Sequence, residues 1–268
     1  QNSTTGSTNT AVGYSALLSN TTASNNTAVG YQAGYSNTTG TRSNAFGTQS
    51  LYSNSTGSYN NAFGYKALFL STGNFNVAMG DSVLMNNTSG ANNTALGSDA
   101  LRANTTANNN TAVGYQAAYS NTAADNTAIG HTALRQNTTG NSNVALGYSA
   151  GYNNTTGSSN IAIGLQALVS NTTASNNTAV GYQAGYAITT GPKNLAVGAN
   201  ALRTATTGTN TAVGTEALYF TSTGTLNTSI GRDSLFYNTT GSYNVAVGQS
   251  ALESNTTASY NTALGWKA

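Results

Sequence analysis

Cysteine is absent from the 268 residues and histidine occurs once, which excludes disulfides, thiolate chemistry and zinc sites built from Cys and His. Charge is scarce as well: eight Lys and Arg against six Asp and Glu, a net +2. Eight dispersed cations make no basic stripe to track a phosphate backbone, so nucleic acid is excluded as a partner. No run approaches the roughly 18 apolar residues of a membrane-spanning helix, and membrane insertion is not expected. No charged-plus-apolar leader precedes Gln1, so any secretion signal is expected to have been removed or to lie outside this sequence. Leu, Ile, Val and Phe make up only 42 residues, a share that with so few charges ordinarily reads as low complexity or disorder. Periodicity overturns that reading.

A small residue, a large apolar residue and a glycine recur together along the whole chain, the glycines running from Gly13 to Gly265. The interval is 17 residues, except for intervals of 16 ending at Gly80, Gly130 and Gly214, so the chain holds sixteen copies. Ser19 to Tyr35 recurs unchanged as Ser170 to Tyr186, a mark of growth by duplication. The consensus reads N-T-A-V-G-Y-Q-A-L-Y-S-N-T-T-G-S-N, numbered here as positions one to seventeen. Position three is Ala except at Ser229, position four is always Val, Ile, Leu, Phe or Met, and position nine is mostly Leu. Positions twelve to fifteen are turn chemistry, since Asn and Gly tolerate positive φ and Thr hydroxyls bond local backbone. The shortened copies lose their residue there.

Seventeen residues are too few for a helical hairpin repeat, and the glycine and turn would interrupt a helix. The unit suits one coil of an all-β, parallel β-solenoid (β-roll) of about sixteen coils. Residues 1–268 are expected to form a single repeat array with no separate capping domain. Two short strands are expected per coil, near T-A-V-G and A-L-Y. Stacking at ~4.8 Å per coil gives a rod of roughly 75 Å. Alternation should turn positions two and four towards a thin core with the Leu of position nine, leaving positions three and five as a flat face of small residues.

Position one is Asn in every copy but one, where Ser43 stands. Stacked amides can satisfy one another, which gives a structural ladder of Asn9, Asn26, Asn60, Asn76, Asn93, Asn110, Asn126, Asn143, Asn160, Asn177, Asn194, Asn210, Asn227, Asn244 and Asn261. Nearly all charges fall at positions six, seven, ten and seventeen, which marks these as solvent positions. Tyrosines occupy them too: Tyr14, Tyr31, Tyr65, Tyr115, Tyr148 and Tyr182 at six, and Tyr35, Tyr52, Tyr119, Tyr152, Tyr186 and Tyr219 at ten. These twelve are the candidate surface contacts. Exposed tyrosine rows can stack on sugars or pack on another chain, and they also serve as cross-strand stabilisers. Where position nine is Gly (Gly34, Gly151, Gly185), position ten is Tyr, whose ring is expected to cover the space left by the missing Leu.

Gly147-Tyr148-Ser149-Ala150-Gly151 matches G-x-S-x-G, but it is a repeat copy with Ser at position seven, and no α/β scaffold accompanies it. His131 stands alone at a solvent position, the carboxylates scatter, and no phosphate-binding glycine motif occurs. Sequons at Asn20, Asn37, Asn87 and Asn104 are products of the consensus and would matter in a glycosylating host. No catalytic residue, metal site or cofactor is expected, and the chain reads as a non-enzyme.

The A-V-G unit with its preceding Asn resembles the head repeats of trimeric autotransporter adhesins, the YadA-like or haemagglutinin-type repeat. Asn143-Val144-Ala145-Leu146-Gly147 and Asn244-Val245-Ala246-Val247-Gly248 come nearest to it. Related N-T-A-V-G-Y-Q-A units are similar to segments of phage and bacterial fibres. The resemblance implies a parallel β-roll, three chains side by side, displayed extracellularly on a cell or virion. The unit here is longer than the family's, with N-T-T-G inserted as a longer turn, and no coiled-coil stalk or anchor is expected within these 268 residues. The first coil begins within a turn and the last stops at position eight, neither with an atypical capping repeat, which suggests a stretch of a longer polypeptide or end-to-end joining. The expected function is a non-enzymatic extracellular fibre segment for surface extension and adhesion. Its partners would be copies of itself, as a lateral trimer or end-to-end filament, and a cell-surface glycan or matrix. The alternatives are a self-assembling filament without a ligand and, as a lesser one, an ice-binding solenoid using stacked Thr at positions thirteen and fourteen.

Overall fold

The computed structural model describes residues 4–268. It is an all-β solenoid with sixteen three-residue strands and no helix among the described residues. The chain divides into two compact units, 1–132 and 133–268. The first holds β1 (Thr10–Val12) through β8 (Thr127–Ile129) and the second β9 (Val144–Leu146) through β16 (Thr262–Leu264). Within each unit the strands pair parallel in sequence order, each position opposite its own equivalent: Thr10↔Thr27, Ala11↔Ala28 and Val12↔Val29 in the first, Ile161↔Thr178, Ala162↔Ala179 and Ile163↔Val180 in the second. Coils are numbered here by their position-five glycine, from Gly13 (coil 1) to Gly265 (coil 16).

The hydrogen-bond ladder extends well beyond the strand. In coil 2, Gly30 and Gln32 donate to Val12 and Tyr14 of the preceding coil at 2.8 Å. Gly34 and Ser36 donate to Ser50 and Tyr52 of the following coil at 2.9 Å. Coils are therefore tied to both neighbours through most of their backbone, so this loop-rich chain leaves few amide groups unmet.

The phase of the strand is the reverse of the expectation. Position three faces inward, with Ala28, Ala62, Ala95, Ala162 and Ala196 at most 2% exposed, whereas positions two and four face outward. The interior of coil 2 consists of Asn26, Ala28, Ala33, Gly34, Asn37 and Gly40. So narrow a lumen takes alanine at three but has no room for the Phe or Met found at position four. Leucine at nine is its main large apolar element, as in Leu68, Leu101 and Leu218, all fully buried, joined by Val83 and Ile188. Each such side chain contributes about 2 kcal/mol by burial.

The second expected strand is absent. Positions seven and nine lie in the left-handed region, as with Gln32 (φ 54) and Leu51 (φ 49), so A-L-Y turns instead of extending. Left-handed backbone costs a leucine about 1 kcal/mol or more, which burial offsets.

Where position nine is glycine, the preceding coil's leucine leans into the space, contrary to the expectation of a covering tyrosine. Leu17 Cδ2 lies 2.9 Å from where a Cβ on Gly34 would stand, and Leu134 and Leu168 do the same at Gly151 and Gly185. A cavity of about 10 Å³ remains beside Gly34, between Leu17 and Leu51, and another of about 10 Å³ beside Gly151. At Gly185, Ile188 of the same coil adds its Cδ1, 3.0 Å from the missing Cβ. Gly34→Leu is expected to raise the melting temperature by a few degrees, since burial of about 2 kcal/mol exceeds the left-handed cost. A lower melting temperature in a thermal scan would show that Leu17 cannot swing aside.

Candidate contact surfaces

The Asn side chains of position one are buried and held mainly by backbone, more than by one another. Within each unit the Oδ1 atoms accept the position-one N–H of the next coil, as from Asn26 to Asn9 at 2.9 Å, Asn110 to Asn93 at 3.0 Å and Asn194 to Asn177 at 2.8 Å. Most Nδ2 atoms donate to the carbonyl of position fifteen, as from Asn93 to Ala107 at 2.9 Å and Asn227 to Gly241 at 2.8 Å, whereas the Nδ2 of Asn177 is buried without a hydrogen-bond partner. Direct amide contacts supplement these, as from Asn110 Nδ2 to Asn93 Oδ1 at 3.2 Å. Ser43 keeps the chain of bonds running, its Oγ accepting from Asn60 N at 3.2 Å.

A second asparagine column runs through position twelve, which the sequence presents as a turn. Asn54, Asn87, Asn104, Asn137, Asn154 and Asn238 are at most 1% exposed. Their Nδ2 atoms donate to the same position-fifteen carbonyl, as from Asn54 to Gly57 at 2.8 Å and Asn87 to Gly90 at 2.9 Å. Some also donate to the Oδ1 one coil back, as from Asn104 to Asn87 at 2.8 Å and Asn171 to Asn154 at 2.7 Å. The column is interrupted in coils 11 to 13 by Ile188, Ala205 and Thr221 and resumes at Asn238 and Asn255; the Oδ1 atoms of Asn20, Asn37, Asn54, Asn104 and Asn171 have no hydrogen-bond partner. The sequon asparagines Asn20, Asn37, Asn87 and Asn104 all belong to this column and are at most 3% exposed, so the folded coil has no room for a glycan on them. At position thirteen the Thr hydroxyls also turn to backbone, Thr38 Oγ1 donating to Ser55 O and Thr155 Oγ1 to Thr172 O, each at 2.9 Å.

The tyrosines of position six are exposed: Tyr14, Tyr31, Tyr65, Tyr115, Tyr148 and Tyr182 range from 47 to 72%. Those of position ten (Tyr35, Tyr52, Tyr119, Tyr152, Tyr186 and Tyr219) are half-buried. Rings stack along their columns, Tyr14 on Tyr31 at 5.5 Å, Tyr35 on Tyr52 at 5.0 Å and Tyr52 on Phe69 at 5.1 Å between centroids. Where column ten carries arginine, the guanidinium covers a neighbouring ring: Arg102 stands 5.9 Å from the Tyr119 centroid, and Arg203 lies 5.4 and 5.6 Å from those of Tyr186 and Tyr219. His131 packs against Tyr115 at 5.2 Å, and Ser149 sits at a left-handed position seven like Gln32.

A further surface is the outward face of the strands. Position four presents Val12, Met79 and Ile129 in the first unit and Leu146, Ile230 and Leu264 in the second, each 37 to 79% exposed. Position two adds Thr, Asn, Val, Ile and Leu, and neither position carries a charge in any coil. Among the described residues no three His, Cys, Asp or Glu gather as a metal site. No family model, curated protein or solved structure matches the chain.

Proposed function

We propose that this chain is a non-enzymatic segment of an extracellular fibre, and that copies of it pack side by side through the outward faces of their strands. One observation carries the reading: within each unit every coil turns a large apolar residue outward at position four, in a strip free of charge. Contiguous apolar strips of this kind mark association surfaces. The ranks repeat at the strand spacing of ~4.8 Å, so a second copy presents the same period, and two such faces can interdigitate at the ~10 Å separation of stacked sheets. The repeat core's resemblance to trimeric adhesin heads supports side-by-side packing and display outside the cell or virion. The exposed tyrosines of position six border this strip and are the candidate contacts for a surface glycan or matrix.

Met79→Lys with Ile230→Lys places charge on this face without touching the interior. The paired substitution is expected to leave the circular dichroism melt within a few degrees of wild type while reducing the sedimenting species to one chain. A wild type that sediments as a single chain at every concentration would end the lateral reading.

A further inference from the structure

Position eleven is a small or polar residue through most of the chain, including Ser19, Ser36, Ser53, Ser120, Ser170 and Ser254. Coil 4 has Leu70 there, and coils 13 and 14 alone carry rings, Phe220 and Tyr237, 40 and 48% exposed. They lie beside the column-ten rings of Tyr219 and Phe236. The outer pair are parallel to within 5° at 5.8 Å, and each meets an inner ring edge-on, Phe220 with Tyr219 at 4.6 Å and Tyr237 with Phe236 at 4.8 Å. Coils that do without these rings keep the same backbone, so the fold does not require them.

The charges around this quartet are as unusual. Three of the six carboxylates in the whole chain, Glu216, Asp233 and Glu253, fall in coils 13 to 15. Position seven of a coil borders position ten: Asp99 reaches Arg102 at 3.3 Å, and the Lys66 ammonium stands 5.4 Å from the Phe69 ring centroid. By that register Glu216 borders Tyr219 and Asp233 borders Phe236, while Glu253 follows Phe236 in column ten. Asp233 pairs with Arg232 at 2.8 Å, whereas Glu216 and Glu253 form no ion pair among the described residues. The bond and charge of Asp233 raise the Arg232 guanidinium above its usual range, and the charges of Glu216 and Glu253 add to this.

The molecule covers column-ten rings with its own Arg or Lys, as Arg102 does at Tyr119 and, at the edge of this quartet, Arg203 at the inner ring of Tyr219. Among the described residues no cation stands over Phe220 or Tyr237. We propose that the exposed Phe220–Tyr237 pair, fringed by Glu216 and Glu253, is a docking surface for a lysine- or arginine-bearing segment of a partner protein. Its cationic groups would lie on the outer rings and be neutralised by the two unpaired carboxylates.

The test uses the full chain and three probes in a fluorescence-anisotropy titration: a peptide of alternating Lys and Gly, a Glu-Gly counterpart, and cellohexaose as competitor. The Lys-Gly peptide is expected to bind and to weaken with salt, and the Glu-Gly peptide not to bind. F220S/Y237S restores the serine used by other coils and should weaken binding about tenfold. E216Q/E253Q should weaken it several-fold and flatten the salt dependence. Y237S alone, expected at about threefold, carries the test should the double variant misfold by circular dichroism. Failure of the Lys-Gly peptide to bind, or binding indifferent to the loss of these rings, overturns the proposal. So does displacement of the peptide by cellohexaose, which would make the surface a sugar platform.

Discussion

Asn93→Ala is expected to lower stability by about 3–5 kcal/mol, measured by denaturant unfolding. Asn93 is fully buried, and its side chain holds the Asn110 N–H and the Ala107 carbonyl. Alanine leaves both unmet in the interior, and each unmet group costs about 1–3 kcal/mol. Asn93→Ser should cost less than alanine, because the hydroxyl of Ser43 already takes an N–H in the same column. Asn93→Asp keeps the acceptor but turns an oxygen towards the Ala107 carbonyl and buries a charge. Burial raises the folded-state pKa of such a carboxyl, so the folded chain binds the proton more tightly than the unfolded one. Stability of the aspartate variant is then greatest in acid and falls as pH rises above the unfolded value of about 3.9. Equal losses at pH 4 and pH 7, or an alanine variant as stable as wild type, would remove the column from the account of what holds the coils together.

Gly30→Ala is expected to cost roughly 3 kcal/mol by the same measurement, with Gly34→Ala costing less than half as much. Gly30 has φ +137, a region essentially reserved for glycine, and a Cβ there would lie 2.6 Å from the Gly47 carbonyl oxygen. Both obstacles are backbone and cannot swing away. Gly34 has φ +59, where leucine sits in neighbouring coils, and the nearest atom is a leucine δ-carbon. The variation within the chain follows this difference, since position five is glycine in all sixteen coils while position nine is leucine in most coils, glycine at Gly34, Gly151 and Gly185 and alanine at Ala118. Equal costs at the two sites would mean that conformation at position five matters less than loss of glycine as such.

The coil length, the parallel stacking and the all-β class were legible in the sequence because the period of 16 or 17 residues admits few architectures. The strand phase was misread because size was taken as a sign of burial. A contrary sign was present: position four passes from Val29 to Phe46 and from Phe63 to Met79 in successive coils, a latitude in volume that a close-packed lumen does not allow. Position three, restricted to Ala and Ser, was the packed one. The interior place of position twelve had a similar trace in Ile188 and Ala205, which no solvent-facing turn requires. The left-handed leucines had almost none, because a leucine gives no local hint of positive φ and only the three glycines at position nine point to it. Of the contact surfaces, the tyrosines of position six could be read directly. The aromatic pair at Phe220 and Tyr237 could be found only by noticing where position eleven departs from serine.

The asparagine columns also bear on how the molecule ages. An asparagine deamidates when the amide nitrogen of the following residue attacks its side-chain carbonyl, and asparagine is accordingly among the heat-labile residues. Twenty-six of the thirty-nine asparagines stand at positions one and twelve. In most coils the attacking nitrogens are already engaged: Thr27 N donates to Ser43 O at 3.0 Å, after Asn26, and Thr38 N to Ser55 O at 3.0 Å, after Asn37. The folded state thus guards its own most perishable residues, while each excursion to the unfolded state exposes them to a change that plants a charge inside the next coil to form. The lifetime of the molecule is then set by how rarely its coils open.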